Sequence, residues 1–261
     1  MKMKRLISTN TTIFFFLISI ITFFSSWNAV NGEETKESVA QLGVVITPEN
    51  MAQWSGISDR LQATGVKYCV VEFAKLQQSE DLSTVSALLL PNVEAFTGQQ
   101  AQALADWMSG GGKAIVTGPT GHGSVSQVKQ ELRSLFGAYW GFSLSSASTL
   151  QPLETGNNSL SATLLGGAIV PTKAHSTTAA IWISDRREPA VVFTDKSAFF
   201  GWRWGFDGVG TVFLDAAWLE TALNRYGKFP LADGSPPQYC FDPDRTEPNP
   251  LLPSELIENQ E

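Results

Sequence analysis

Between Leu42 and Gly137, short apolar runs alternate with segments whose apolar residues recur every three or four positions. The runs are Leu42–Thr47 (LGVVIT), Val66–Phe73 (VKYCVVEF), Ser86–Pro91 (SALLLP) and Lys113–Gly118 (KAIVTG). Each is bounded by turn residues and reads as a buried strand. After the first, Asn50 is placed to cap a helix carrying Trp54, Ile57 and Leu61, ended by Gly65. Thr97 and Gln100 spell a capping box for a helix with Leu104, Trp107 and Met108, stopped at Gly110–Gly112. Ser124 and Gln127 spell a second box, for a helix with Val128, Leu132, Leu135 and Phe136, ended by Gly137. Strands that are apolar throughout are covered on both faces, and right-handed crossovers then wind them in both directions. The pattern predicts an α/β protein: a flavodoxin-like, doubly wound, mostly parallel sheet in three layers.

After Trp140 the pattern loosens. Residues 141–180 are rich in Ser, Thr, Gly and Leu and show no helical period. Ala190–Thr194 (AVVFT) and Ala198–Trp204 (AFFGWRW) predict a β-hairpin turning at Asp195–Ser197. Asp215 is placed to cap a last helix with Ala217, Trp218, Ala222 and Leu223, ended by Gly227. The domain is therefore expected over 41–228.

The two ends of the chain read differently. Lys2, Lys4 and Arg5 precede the apolar run Ile13–Phe24, which is broken only by Ser19 and Thr22. A membrane-spanning helix needs about 20 apolar residues, so residues 1–32 read as a cleavable export signal, with an uncleaved anchor as the alternative. Export implies a periplasmic or extracellular location. Residues 229–261 hold seven prolines and seven acidic residues against one base, Arg245. They read as a disordered, acidic, proline-rich tail. Cys240 lies in that tail and Cys69 in a predicted strand. An oxidising compartment permits a disulfide between them, and two unpaired thiols are the alternative.

Composition narrows the chemistry. With 43% hydrophobic and 16% charged residues the chain is globular, and its net charge of −7 disfavours a nucleic-acid partner. Two cysteines and two histidines, His122 and His175, leave no set for a cysteine-based zinc site or a histidine-rich metal centre. No cofactor is expected. In particular, PENMAQW after the first strand lacks the small-residue cradle of a flavin phosphate site.

In open α/β sheets ligands sit beyond the carboxyl ends of the strands. The loop there with most chemical promise is GPTGHGS, Gly118–Ser124. It offers small residues at a helix start, either as an anion cradle or as a plain strand-to-helix turn. It has neither the lysine of a phosphate-binding loop nor the GxSxG spacing of a hydrolase elbow.

The stretch Ala87–Ser124, ALLLPNVEAFTGQQAQALADWMSGGGKAIVTGPTGHGS, resembles the class I glutamine amidotransferase-like superfamily. The resemblance covers about residues 41–140 and continues more weakly to Gly227. It is closest to non-catalytic versions attached to glycoside hydrolases. These are the β-galactosidase trimerisation domain and the domain beside cyanobacterial family-10-like glycosyl hydrolases. Catalytic members carry a cysteine in an elbow such as GKPVLGICLG. Gly112–Gly121 reads GKAIVTGPTG, which puts Pro119 at the nucleophile. Proline has no nucleophilic side chain and no N–H. The resemblance thus implies a catalytically degenerate domain with a binding or assembly role, linked to carbohydrate or to a glycoside hydrolase partner.

Two further features set the candidate residues. Glu49, Glu72 and Glu94 fall near strand ends, and paired carboxylates are the machinery of glycoside hydrolysis. A hydrolase working through them, or through Thr120 and His122 of the elbow loop, is the competing expectation. Phe200, Trp202, Trp204 and Phe206 alternate along the chain with Phe199, Gly201, Arg203 and Gly205. Period two puts the first set on one face of a strand, as a sugar-stacking platform, a core face or a partner interface. Glu49, Glu94, Thr120, His122, Trp202, Arg203 and Trp204 are the candidate ligand-binding residues, with none assigned as catalytic or metal-binding.

Overall fold

The computed structural model describes residues 41–154, 160–184, 186–206 and 209–241. The chain divides into two units, Met1–Ser38 and Val39–Glu261. The export-signal expectation for residues 1–32 lies outside the described residues, and the structure below is that of the second unit. Among the described residues no helix is long and apolar enough to cross a membrane.

The amino-terminal half alternates as its pattern predicts: β1 (Leu42–Ile46), α1 (Trp54–Thr64), β2 (Tyr68–Glu72), β3 (Ala87–Pro91), α2 (Gly98–Ser109), β4 (Lys113–Thr117) and α3 (Ser126–Phe136). The rest is mainly strand: β5 (Ala138–Ser143), β6 (Ser148–Pro152), β7 (Ala162–Leu164), β8 (Gly167–Pro171), β9 (Thr177–Ile183), β10 (Pro189–Phe193) and β11 (Ser197–Phe200). Helix α4 (Val209–Tyr226) follows. The main sheet runs β2-β1-β3-β4-β11-β10-β9-β6-β7, and β5 pairs with β8 apart from it. The first five strands in that order are parallel to one another. The remainder are antiparallel. The doubly wound, flavodoxin-like α/β fold is therefore present, with β11 as its fifth parallel strand and an antiparallel extension beyond.

Helices cover both faces. Trp54, Ile57 and Leu61 of α1 join Trp218, Leu219 and Ala222 of α4 in one core cluster. Leu104, Trp107 and Met108 of α2 join Val128, Leu132 and Phe136 of α3 in the other. The apolar sequence of β3 follows from this: Leu88 and Leu90 face one cluster, Leu89 the other.

Several expectations need correction. The box at Thr97–Gln100 is formed, but Ser124 does not cap α3; the residue before that helix is Val125, without a side-chain cap, and the Ser124 hydroxyl accepts from Phe96 N–H. Asn50 does not cap α1. It sits in a single turn, Pro48–Met51, capped by Thr47. Asp215 lies inside α4 and is buried. Strand β11 stops at Phe200, so Trp202 and Trp204 belong to a loop. Residues 141–180, which show no helical period, hold most of β5 to β9.

The tail from Phe229 to Phe241 is an ordered strap and not a disordered one. Pro230 and Gln238 carbonyls accept from Lys67 and Val70 N–H, and Cys240 N–H donates to Val70 O. These bonds cover the outer edge of β2, an edge that unpaired would invite pairing with another chain. A disulfide between Cys69 and Cys240, with Cα atoms 5.0 Å apart, fixes the strap. Residues 242–261 lie outside the described residues.

Candidate functional site

The carboxyl ends of the parallel strands are filled. The sheet order reverses between β1 and β3, the place where such sheets ordinarily bind ligands. Here the Asn50 amide occupies that gap. Its Nδ2 donates to Val45 O (3.0 Å) and Pro91 O (2.8 Å), and its Oδ1 accepts from Thr47 N (2.9 Å). The next gap is closed by Asn92, which holds φ +57. Its Nδ2 donates to Trp204 O (2.7 Å), and its Oδ1 accepts from Trp204 N (2.9 Å) and from the Thr117 hydroxyl (3.1 Å). Gly118, at φ +60, is needed at this spot: a Cβ would lie 2.7 Å from Asn92 Oδ1.

The plug that Asn92 grips is the loop Gly201–Phe206. It presses on α1 so closely that a Cβ on Gly56 would lie 2.4 Å from Gly205 O. A buried ion pair underneath holds it. Arg60 of α1 bonds through Nε to Asp215 of α4, and through its other nitrogens to Gly56 O (2.8 Å), Phe206 O (2.9 Å) and the Thr211 hydroxyl (2.7 Å). Asp215 also accepts from Trp202 Nε1 at 2.6 Å. Burial pushes the Asp215 carboxyl up to about 7, against the opposing pull of Arg60 and of the Trp202 and Gly205 N–H groups.

This arrangement decides the sequence candidates one by one. Trp202 and Trp204 are buried, at 1% and 0% exposure, so they are not a solvent-facing platform. Trp202 stacks on Phe200 with centroids 5.3 Å apart and meets Trp182 and Trp218 edge-on. Thr120 is buried too; its hydroxyl donates to Thr117 O (2.7 Å) and accepts from Val93 N (3.0 Å), which ties two loops together. The Gly-rich loop is no anion cradle. The N–H groups of Gly121, His122 and Gly123 go to Val93 O, Pro119 O and Glu94 O. His122 is exposed beside a cavity of about 20 Å³, the size of one water, which neither Glu49 nor Glu94 lines. Glu49 is exposed on its own turn. Glu72 pairs with Lys75 at 3.0 Å. Its strand, β2, is separated by β1 from β3, the strand that precedes the loop of Glu94, about 10 Å of backbone spacing.

Two candidates do come together. Arg203 Nη2 and Glu94 Oε1 are 2.5 Å apart at the surface, and the Arg203 guanidinium lies 5.7 Å from the Phe206 ring. Arg203 also lines an open surface that the sequence did not reveal. A cavity of about 310 Å³ lies between Arg203, Phe206, Leu165 and Trp140. It shares Ser143 and Leu144 with a wider groove of about 700 Å³, walled by Phe142, Ser146, Thr163 and the turn carrying Arg186 and Glu188. Phe142, Leu165, Ile183 and Phe206 are all at least 38% exposed. Phe142 points out because β5 carries a bulge: Trp140 pairs with Ile169, but the next partner, Ala168, pairs with Phe142. The extra residue, Gly141, turns Phe142 to the face opposite Trp140. No periodicity signals such a bulge, whereas the asparagine directly after Pro91 is a legible sign of a left-handed turn.

No family model and no curated protein matches the chain. Solved structures do. A β-galactosidase from Bacillus circulans sp. alkalophilus aligns with TM-score 0.54 and 14% identity, covering 72% of this chain and 31% of its own. An α-L-fucosidase isoenzyme 2 from Paenibacillus thiaminolyticus gives 0.55 and 15%, covering 72% and 33%. A ThuA-like protein from Bacteroides uniformis gives 0.51 and 12%, covering 69% and 90%. The chain thus spans about a third of the length of each of these two glycoside hydrolases. At these identities the likeness is one of fold.

Proposed function

We propose that this chain is an exported, non-catalytic amidotransferase-like module that works by binding or assembly in carbohydrate metabolism. The observation that carries this reading is the sealing of the strand ends by Asn50, Asn92 and the Gly201–Phe206 plug. Side chains of the chain itself occupy the gaps where sheets of this class place a ligand. Pro119 stands where the resemblance expects a nucleophile, and the neighbouring Thr120 hydroxyl is committed to two backbone groups. The carbohydrate link draws on the β-galactosidase and the α-L-fucosidase that share the fold. Export draws on the basic and apolar start of the chain, and an oxidised Cys69–Cys240 strap fits the same compartment. The hydrolase alternative has less behind it, because Glu72 and Glu94 are each engaged with a cation.

The test is a turnover panel on the purified chain, with nitrophenyl β-galactoside, α-fucoside, β-glucoside and β-mannoside, together with a glutaminase assay. The expected result is no turnover above buffer. Turnover of any of these that disappears in His122→Ala or Glu94→Gln overturns the reading.

A further inference from the structure

The geometry points to the groove between Phe142 and Phe206 as a binding site for a saccharide chain. This rests on the binding reading above and names its ligand class. Four observations carry it. First, the two exposed rings stand apart on separate elements, Phe142 on the bulged end of β5 and Phe206 on the plug. They are joined by a groove whose two parts meet at Ser143 and Leu144. A pyranose has one face of C–H groups and a rim of hydroxyls. Spaced rings that stack on successive sugar faces bury those C–H groups.

Second, the wall between the rings is hydroxylic. Ser143, Ser145 and Ser146 line it, and among the described residues their side chains make no hydrogen bond. Third, charged groups of both signs flank the groove, with Arg203 at one end and Arg186 and Glu188 at the other. A guanidinium donates to two oxygens at once and a carboxylate accepts from two hydroxyls, which is the pairing that vicinal diols offer. Glu94 acts here as a positioning residue: it holds Arg203 at 2.5 Å beside the Phe206 ring.

Fourth, the floor is rigid. Gly167 N–H donates to Gly201 O at 2.7 Å and Leu144 N–H to Gly166 O at 2.8 Å. Trp182 Nε1 donates to Gly167 O at 2.9 Å. These bonds lock the β7–β8 turn to the plug, so little ordering is left for a ligand to impose. A second copy of the chain is the occupant the experiment must separate.

The probes are soluble galactan, xylan, glucomannan, mixed-linkage β-glucan and polygalacturonate, each cast into a native gel and run with the full chain, its disulfide intact. Retardation in at least one gel is expected. In that gel, Phe142→Ala, Phe206→Ala and Arg203→Ala should each weaken binding about tenfold. Phe213→Ala, at a 72%-exposed position on α4, should not. Glu94→Gln should weaken binding less than Arg203→Ala, since it loosens the guanidinium without removing it. Absence of retardation in all five gels overturns the inference, as does retardation that survives both phenylalanine changes. Light scattering on the same samples is expected to show a monomer for wild type and variants alike. A wild-type dimer that Phe142→Ala or Phe206→Ala splits assigns the groove to self-association and likewise overturns the saccharide site. Either failure leaves the turnover panel blank and the non-catalytic reading standing; turnover removes that reading whatever the gels show.

Discussion

The carboxyl ends of the parallel strands and the groove beside β5 meet at the Gly201–Phe206 loop and use their polar groups in opposite ways. At the strand ends Asn50, Asn92 and Thr120 spend their side chains on backbone groups and are buried. In the groove Ser143 and Ser146 are exposed, and among the described residues their hydroxyls make no hydrogen bond. The first region is closed structure and the second is open surface. Trp202 and Arg203, adjacent in sequence, mark the boundary: one is 1% exposed over Asp215, the other stands at the surface on Glu94. The plug that fills the strand ends thereby also walls the open groove, through Arg203 and Phe206.

Breaking the closed region should cost most. Asp215→Ala strands the Arg60 guanidinium in the core and releases the plug, with an expected loss of about 3–5 kcal/mol in denaturant unfolding. A loss under about 1 kcal/mol would show that the ion pair does not hold the plug. The same carboxyl sets a pH signature. Its folded value is raised to about 7 from 3.8, so the unfolded chain releases that proton first. Its contribution to stability is full below about pH 4 and is lost as pH rises to about 7. The stability difference between wild type and Asp215→Asn, measured across that range, should decline with rising pH. A flat difference would contradict the raised value.

Next in size is the strap. Cys240→Ser opens a loop of 171 residues and should cost about 2–5 kcal/mol, read from the shift in the unfolding midpoint against the oxidised wild type. The two buried indoles sharpen the comparison further. Trp202 Nε1 bonds Asp215, whereas Trp204 Nε1 has no partner among the described residues. Trp202→Phe should therefore destabilise more than Trp204→Phe, by about 1–3 kcal/mol. Equal costs would mean that packing alone decides both positions. The smallest effect belongs to the groove: Phe142→Ala should move stability by no more than about 0.5 kcal/mol. A larger loss would make Phe142 part of the core and close the contrast between the regions.

Much of the parallel half was legible. Leu42–Ile46, Ala87–Pro91 and Lys113–Thr117 are strands where continuous apolar runs say so, because both faces of each are covered. The box at Thr97–Gln100 formed because both partners are local. The same motif at Ser124–Gln127 did not, since Phe96 N–H, distant in sequence, takes the hydroxyl. The alternation from Phe200 to Phe206 read as one strand because a loop buried against a core can alternate as a strand does. Glu94 and Arg203 were each named from sequence, but nothing in it pairs residues 109 positions apart.

The sequence by itself determined the α/β winding, the apolar strands and the helix that follows each of three of them. These are local matters of periodicity, propensity and residue chemistry. The tertiary structure decided which polar groups are spent. It put Asn50 and Asn92 into the strand-end gaps, made Asp215 a buried anchor, paired Cys69 with Cys240 and turned Phe142 outward through one extra residue in β5. Each of these depends on which atoms distant in sequence come within bonding or pairing distance, a matter fixed only once the sheet has assembled.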